Sequence, residues 1–180
     1  MKAVCFLGSP RKKGNTAALL DSVISGLTQG GKVESELVFL HEKNIKPCNG
    51  CEACKKEGSK GCAIQDDMSD IYPLIRKADL IIFATPIYWW SVTAQMKLLI
   101  DRLYGMDFKC GTKKVALLMT YGGELPNSGP ETTEKLFVEI CDYLKIKAAG
   151  VMGVCTGSIP VSENKKALAG AYTFGRELAR

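Results

Sequence analysis

Short apolar runs rich in β formers alternate along this chain with longer stretches in which apolar residues recur every three or four positions. Lys2 to Leu7 (KAVCFL) reads as a first strand closed by Gly8-Ser9-Pro10. Asn15-Thr16 then open a helix whose Leu19, Leu20, Val23, Ile24 and Leu27 form one apolar stripe, ended by Gly30-Gly31. Val33 to Leu40 reads as the second strand. Asp66-Asp67 are placed to cap a short helix that ends near Lys77, with Pro73 expected to confine or kink it. Leu80-Ile81-Ile82-Phe83-Ala84 is apolar on both faces, the pattern of a central parallel strand covered on both sides.

The same rhythm continues to the end of the chain. Gln95, Met96, Leu99, Ile100 and Leu103 mark a third helix, and Val115 to Met119 a fourth strand. Leu136, Phe137, Ile140 and Leu144 mark a fourth helix, Ala148 to Cys155 a fifth strand, and Leu168 to Leu178 a final helix. Five βα units without internal repeat or linker predict a single α/β domain over residues 1–180, a three-layer fold around a parallel sheet with right-handed crossovers. One connection breaks the rhythm. The segment 41–66 after the second strand is polar, Gly-rich and Cys-rich, too long for an ordinary link and therefore expected to have a function.

Composition narrows the chemistry. The 180 residues are 46% apolar and 24% charged, and the longest apolar stretch, Leu80 to Trp90, falls short of the roughly 20 residues that cross a bilayer, so no membrane partner is expected. Met1 to Gly8 is too short an apolar start for a secretory signal, which predicts a cytoplasmic protein. In that compartment eight cysteines point to metal, cofactor or redox chemistry rather than to disulfides. A single histidine, His41, argues against a Ser-His-Asp triad or a His-rich zinc site, and it reads better as an exposed loop residue. The net charge of +5 is scattered over Arg11-Lys12-Lys13, Lys55-Lys56, Lys113-Lys114 and Lys165-Lys166, so no nucleic-acid partner is expected.

In a doubly wound sheet of order 2-1-3-4-5, ligands bind outside the carboxyl ends of the strands, between the first and third. Three loops reach that place. Gly8 to Asn15 lacks both G-x-G-x-x-G and a P-loop Lys-Ser/Thr ending, but offers hydroxyl, amide and N–H donors with Arg11 at a helix N-terminus, suited to one phosphate monoester; ordinary polar capping is the competing reading. Thr85 to Ser91 (TPIYWWS) sets three aromatics beside a buried strand, where they could shield a planar ligand or fill a subunit interface. Thr120-Tyr121-Gly122-Gly123 supplies two glycines that let backbone approach a flat ligand.

Taken together, Gly-Ser-Pro-Arg with Gly-Asn-Thr after the first strand, Thr-Pro-Ile-Tyr-Trp after the third, and the following SVTAQMKLLIDR segment resemble the flavodoxin-like NAD(P)H-dependent FMN reductase family over essentially the whole chain. That resemblance implies FMN as cofactor and NAD(P)H as co-substrate. It carries phosphate contacts onto Ser9, Arg11, Gly14, Asn15 and Thr16, and ring contacts onto Pro86, Ile87, Tyr88, Trp89 and Ser91. Thr120, Tyr121, Gly122 and Gly123 would meet the ring from a third side. The flavin would carry the difficult chemistry, so no side-chain base is required, and N–H groups at Ile87 to Trp89 are expected to stabilise its reduced, anionic form.

Half of the cysteines form a pattern of their own. Cys48-x2-Cys51-x2-Cys54 matches the first three positions of a bacterial ferredoxin run, with Cys62 placed to close a 4Fe-4S cluster after a gap of seven residues. Three thiolates crowded on one loop suit tetrahedral zinc less well, although zinc or free thiols stay open. The compact spacing resembles the iron-sulfur flavoprotein branch of the same family, in which the cluster passes electrons to FMN. Cys5 and Cys155, in strands, and Cys141, on an apolar helix side, read as core, while Cys110 follows a loop.

The expected activity is electron transfer between NAD(P)H or a reduced carrier, for which ferredoxin is a candidate, and a quinone, oxygen species or other acceptor. A non-catalytic electron carrier and a flavin-free thiol sensor are the competing classes. The resemblance also implies a homodimer or homotetramer.

Overall fold

A computed structural model describes residues 1–29, 31–106 and 113–180; Gly30 and Cys110, both named above, lie outside the described residues. In chain order the elements are β1 (Lys2–Leu7), α1 (Asn15–Thr28), β2 (Glu34–Phe39), α2 (Met68–Lys77), β3 (Leu80–Pro86), α3 (Ala94–Arg102), β4 (Lys114–Tyr121), α4 (Ser128–Leu144), β5 (Lys147–Cys155) and α5 (Lys165–Leu178). The strands form one sheet of order β2-β1-β3-β4-β5, and every neighbouring pair is parallel.

Alternation along β1 shows why three layers form. Val4 and Phe6 point to a core shared with Met68, Ile71 and Ile75 of α2 and Met96 and Leu99 of α3. Ala3, Cys5 and Leu7 point to the opposite core, against Leu19, Leu20 and Val23 of α1 and Ala171 and Leu178 of α5. Successive side chains in a strand face opposite sides, so a strand apolar at every position must be covered twice. On the second face α1 and α5 meet almost backbone to backbone: a Cβ on Gly26 would lie 2.0 Å from the Tyr172 carbonyl oxygen, and one on Gly175 would lie 2.0 Å from that of Val23. Among the described residues no helix is long and apolar enough to cross a membrane.

Several local expectations are sharpened. β3 extends to Pro86 and β4 to Tyr121, so Pro86, Thr120 and Tyr121 belong to strand ends rather than to free loops. Pro73 sits inside α2, which runs on to Lys77. That helix is capped by Asp66, whose Oδ1 accepts the Met68 N–H at 3.0 Å, while Asp67 accepts from the Asn44 N–H instead. α4 begins eight residues before Leu136, and Leu136 and Ile140 on its apolar stripe are half exposed. Cys5 and Cys141 are buried core residues as expected. Cys155 is a correction: it stands at the carboxyl end of edge strand β5, only half-buried, with Sγ 3.8 Å from the Gly122 carbonyl. An edge strand has a neighbour on one side only, which leaves that end uncovered.

Candidate functional site

At the carboxyl edge of the sheet the three expected loops come together, tied by bonds between distant segments. The first is preorganised from within. The Arg11 N–H donates to Ser9 Oγ at 3.1 Å, and the Gly14 N–H donates to the Arg11 carbonyl at 3.2 Å. Ser9 is buried and the Arg11 side chain is exposed. α1 then starts on Gly14 without a side-chain cap and with no acidic residue in its first turn. The other four helices have caps, from Asp66, Thr93, Asn127 and Asn164. The Asn15, Thr16 and Ala17 N–H groups have no acceptor among the described residues. Such an end combines unsatisfied donors with the positive pole of the helix dipole, so it favours an anion.

Two of the expected phosphate ligands have structural employment. Asn15 Oδ1 accepts the Val161 N–H at 2.9 Å, joining α1 to the turn before α5. The buried hydroxyls of Thr16 and Thr120 share a hydrogen bond of 2.7 Å, which fixes the start of α1 against the end of β4. The donors left for an anion are therefore chiefly backbone N–H groups and the exposed Arg11 side chain, a more main-chain site than the residue types suggested.

The second loop is a tight hairpin. Tyr88 and Ser91 exchange both backbone bonds, N–H to carbonyl at 2.9 and 3.1 Å, around a two-residue tip of Trp89 and Trp90. Both tip residues have positive φ, 49° and 63°, the left-handed region that bulky residues rarely occupy. The two positive φ values match a type I′ turn, in which Asn-Gly is the usual occupant. Two tryptophans there carry strain on the order of 1–3 kcal/mol each. Their rings pack edge to face with centroids 5.5 Å apart, and Trp89 is 90% exposed.

Hydrogen bonding corrects one expectation here. The Ile87 N–H donates to the Thr120 carbonyl at 2.8 Å and the Tyr88 N–H is held by Ser91, so neither is free for a flavin ring. Of the three N–H groups expected to serve it, only that of Trp89 has no acceptor among the described residues. The Ile87–Thr120 bond lashes the second loop to the third, where Tyr121 is buried and Gly122 and Gly123 are exposed. A Cβ on Gly122 would meet nothing within 4 Å, so this backbone fronts open space in which a flat ligand can approach.

The long connection 41–66 folds back over the end of α3. Cys48, Cys51, Cys54 and Cys62 are free thiols bordering one small pocket of about 20 Å³ that Arg102 and Tyr104 also line. They do not close into a ligand set: among the described residues no three His, Cys, Asp or Glu side chains converge on a metal-sized point. The donor chemistry suits iron and sulfide, and the space that the four thiols border holds about one water in this structure.

Arg102 organises this segment, and nothing in its residue type predicted that. Only 1% exposed, it pairs in a fork with Asp66, Nη1 to Oδ2 and Nη2 to Oδ1. It also donates to the carbonyls of Lys46 (2.8 Å) and Ile64 (3.4 Å) and to Cys62 Sγ (3.4 Å). Tyr72 Oη donates to the Arg102 carbonyl at 2.8 Å. Burial opposes the charge on Asp66, but the guanidinium and the N–H groups of Lys46 and Met68 outweigh it and hold the carboxyl below its ordinary range. Arg102 Nε is a buried donor with no partner among the described residues. His41, as expected, is exposed, with Nδ1 3.4 Å from Gln95 Nε2.

Similarity to known proteins extends over most of the chain. The family model described as NADPH-dependent FMN reductase matches residues 1–150. An iron-sulfur flavoprotein of Archaeoglobus fulgidus is 35% identical over 179 residues, 93% of this chain and 76% of the relative. One of Methanocaldococcus jannaschii is 40% identical over 133 residues, 74% of this chain and 67% of the relative. Among solved structures, an NAD(P)H:quinone oxidoreductase from Methanothermobacter marburgensis superposes with a TM-score of 0.79 at 20% identity, covering 100% of this chain and 96% of the other, which establishes a shared fold.

Proposed function

This chain belongs to the NADPH-dependent FMN reductase family and is a flavin-dependent NAD(P)H oxidoreductase; on that premise we propose that FMN lies across the three loops, phosphate at the start of α1 and ring between the Trp hairpin and Gly122. The uncapped N-terminus of α1 carries this reading, because among the described residues α1 is the one α-helix with no side-chain acceptor at its start, which leaves the Asn15, Thr16 and Ala17 N–H groups unmet together. When bound, FMN supplies hydride acceptance from NAD(P)H and onward electron transfer. The chain's own residues do the rest. N–H groups of Asn15, Thr16 and Ala17 with Arg11 hold the phosphate. The Ser9 and Thr16 hydroxyls keep the loop in shape, and Ile87 fixes the hairpin to β4 so that Tyr88, Trp89 and Ser91 border the ring and exclude water. The Trp89 N–H stands free to face the ring's polar edge.

In the same reading Cys48, Cys51, Cys54 and Cys62 hold a 4Fe-4S cluster, supported by the shared pocket, the free thiols and the names of the curated relatives. The donor is NAD(P)H or a reduced carrier such as ferredoxin, the acceptor is a quinone, an oxygen species or an oxidised protein carrier, and the working form is a homodimer or homotetramer that covers Trp89 and Trp90. A cytoplasmic setting, where thiols stay reduced, accords with it.

Protein purified without oxygen should show flavin absorbance. It should also oxidise NADPH or NADH when a quinone is supplied. A chain that takes up no FMN would overturn the site. Flavin uptake without turnover on any acceptor would favour an electron carrier.

A further inference from the structure

We propose that Arg102 is the positioning residue of the cysteine centre: it fixes Cys62 as the fourth sulfur ligand and presents a guanidinium donor to the sulfur-rich pocket. The proposal rests on the reading that the four cysteines hold an iron-sulfur cluster. Cys62 lies eight residues beyond Cys54, on the far arm of the loop, so its register needs an anchor that the Cys-x2-Cys-x2-Cys run cannot provide. Arg102 is that anchor. It binds the carbonyl of Lys46, just before the first cysteine, and the carbonyl of Ile64 and carboxylate of Asp66, just after the last, so both ends of the loop close on one guanidinium.

One further contact of the guanidinium is to sulfur. Nη2 reaches Cys62 Sγ at 3.4 Å, and Nε is buried without an acceptor among the described residues. An unmet buried donor costs about 1–3 kcal/mol. A thiolate or inorganic sulfide in the pocket that Arg102 lines would satisfy it. Hydrogen bonds and positive charge beside cluster sulfurs stabilise the more negative, reduced form and raise the potential. α3 adds a connection to the flavin loops. Its cap Thr93 donates Oγ1 to the Gly8 carbonyl at 2.6 Å, and nine residues later the helix ends on Arg102. One rigid rod about 13 Å long thus abuts both centres.

The test compares wild type, Arg102→Lys and the charge-neutral pair Arg102→Met with Asp66→Leu, each reconstituted anaerobically with iron and sulfide. Readouts are iron and labile sulfide per chain, the rate of iron loss to a chelator, the cluster midpoint potential, bound FMN and thermal midpoint. Arg102→Lys keeps a cation for Asp66 but lacks the fork. It should retain FMN, lose iron about 10- to 100-fold faster, as removal of a ligand's supporting partner does, and show a lower potential. Cys62→Ser combined with Arg102→Lys should add little to either change alone. Equal iron retention and an unchanged potential in a folded Arg102→Lys protein would overturn the proposal. Wild type that takes up no cluster would overturn the cluster reading itself, a different outcome read on a different sample.

Discussion

At the scale of single residues, the most consequential groups are buried ones that a composition count treats as ordinary. Asp66 and Arg102 both have fully buried side chains, so removing one charge strands the other. Asp66→Asn should therefore cost about 3–5 kcal/mol of unfolding free energy, measured by denaturant titration. Cys5 makes the opposite kind of prediction. Burial pushes its thiol up to about 12, whereas a thiol in the unfolded chain titrates at about 8.5. Between those values the unfolded chain binds fewer protons than the native one, so stability falls as pH rises. Cys141, raised by the same cause, adds to the loss. Cys5→Val should lose less stability than wild type between pH 7 and pH 10; parallel denaturation profiles would contradict the burial argument.

At the scale of elements, close backbone approach decides what each helix tolerates. A methyl group on Gly26 or Gly175 would collide with a carbonyl of the facing helix rather than with a yielding side-chain tip. Gly26→Ala and Gly175→Ala should each lower stability by about 1–3 kcal/mol, despite the gain in helix propensity, and the thermal midpoint should fall accordingly. This bears on how far sequence pattern reaches. β3 was legible because an apolar run on both faces has few other uses, and the switch-point loops followed from the βα rhythm. The early start of α4 was not, because Ser128 to Thr133 is polar and its helicity rests on the Asn127 cap. Arg102 was illegible for a similar reason. An arginine ending an amphipathic helix looks solvated until a segment 36 residues away in sequence folds over it. The employment of the Ile87 and Tyr88 N–H groups depends on the register between loops, which residue types do not encode.

At the scale of the whole molecule, the flavin site is assembled from segments far apart in sequence. Thr16 meets Thr120 across 104 positions and Asn15 meets Val161 across 146. A ligand spanning those segments stabilises the entire domain rather than one loop. FMN at 100 times its dissociation constant should add about 2.7 kcal/mol to unfolding, seen as a concentration-dependent rise in the thermal midpoint.

The Trp89-Trp90 hairpin has an optical consequence. The chain contains two tryptophans, and both stand at this single tip. Its indole fluorescence is thus a one-site signal. Light emitted by these two indoles reports the surroundings of that turn. Titration with FMN should quench it in step with binding, giving affinity, association rate and any covering by a second copy from the native chain without a label.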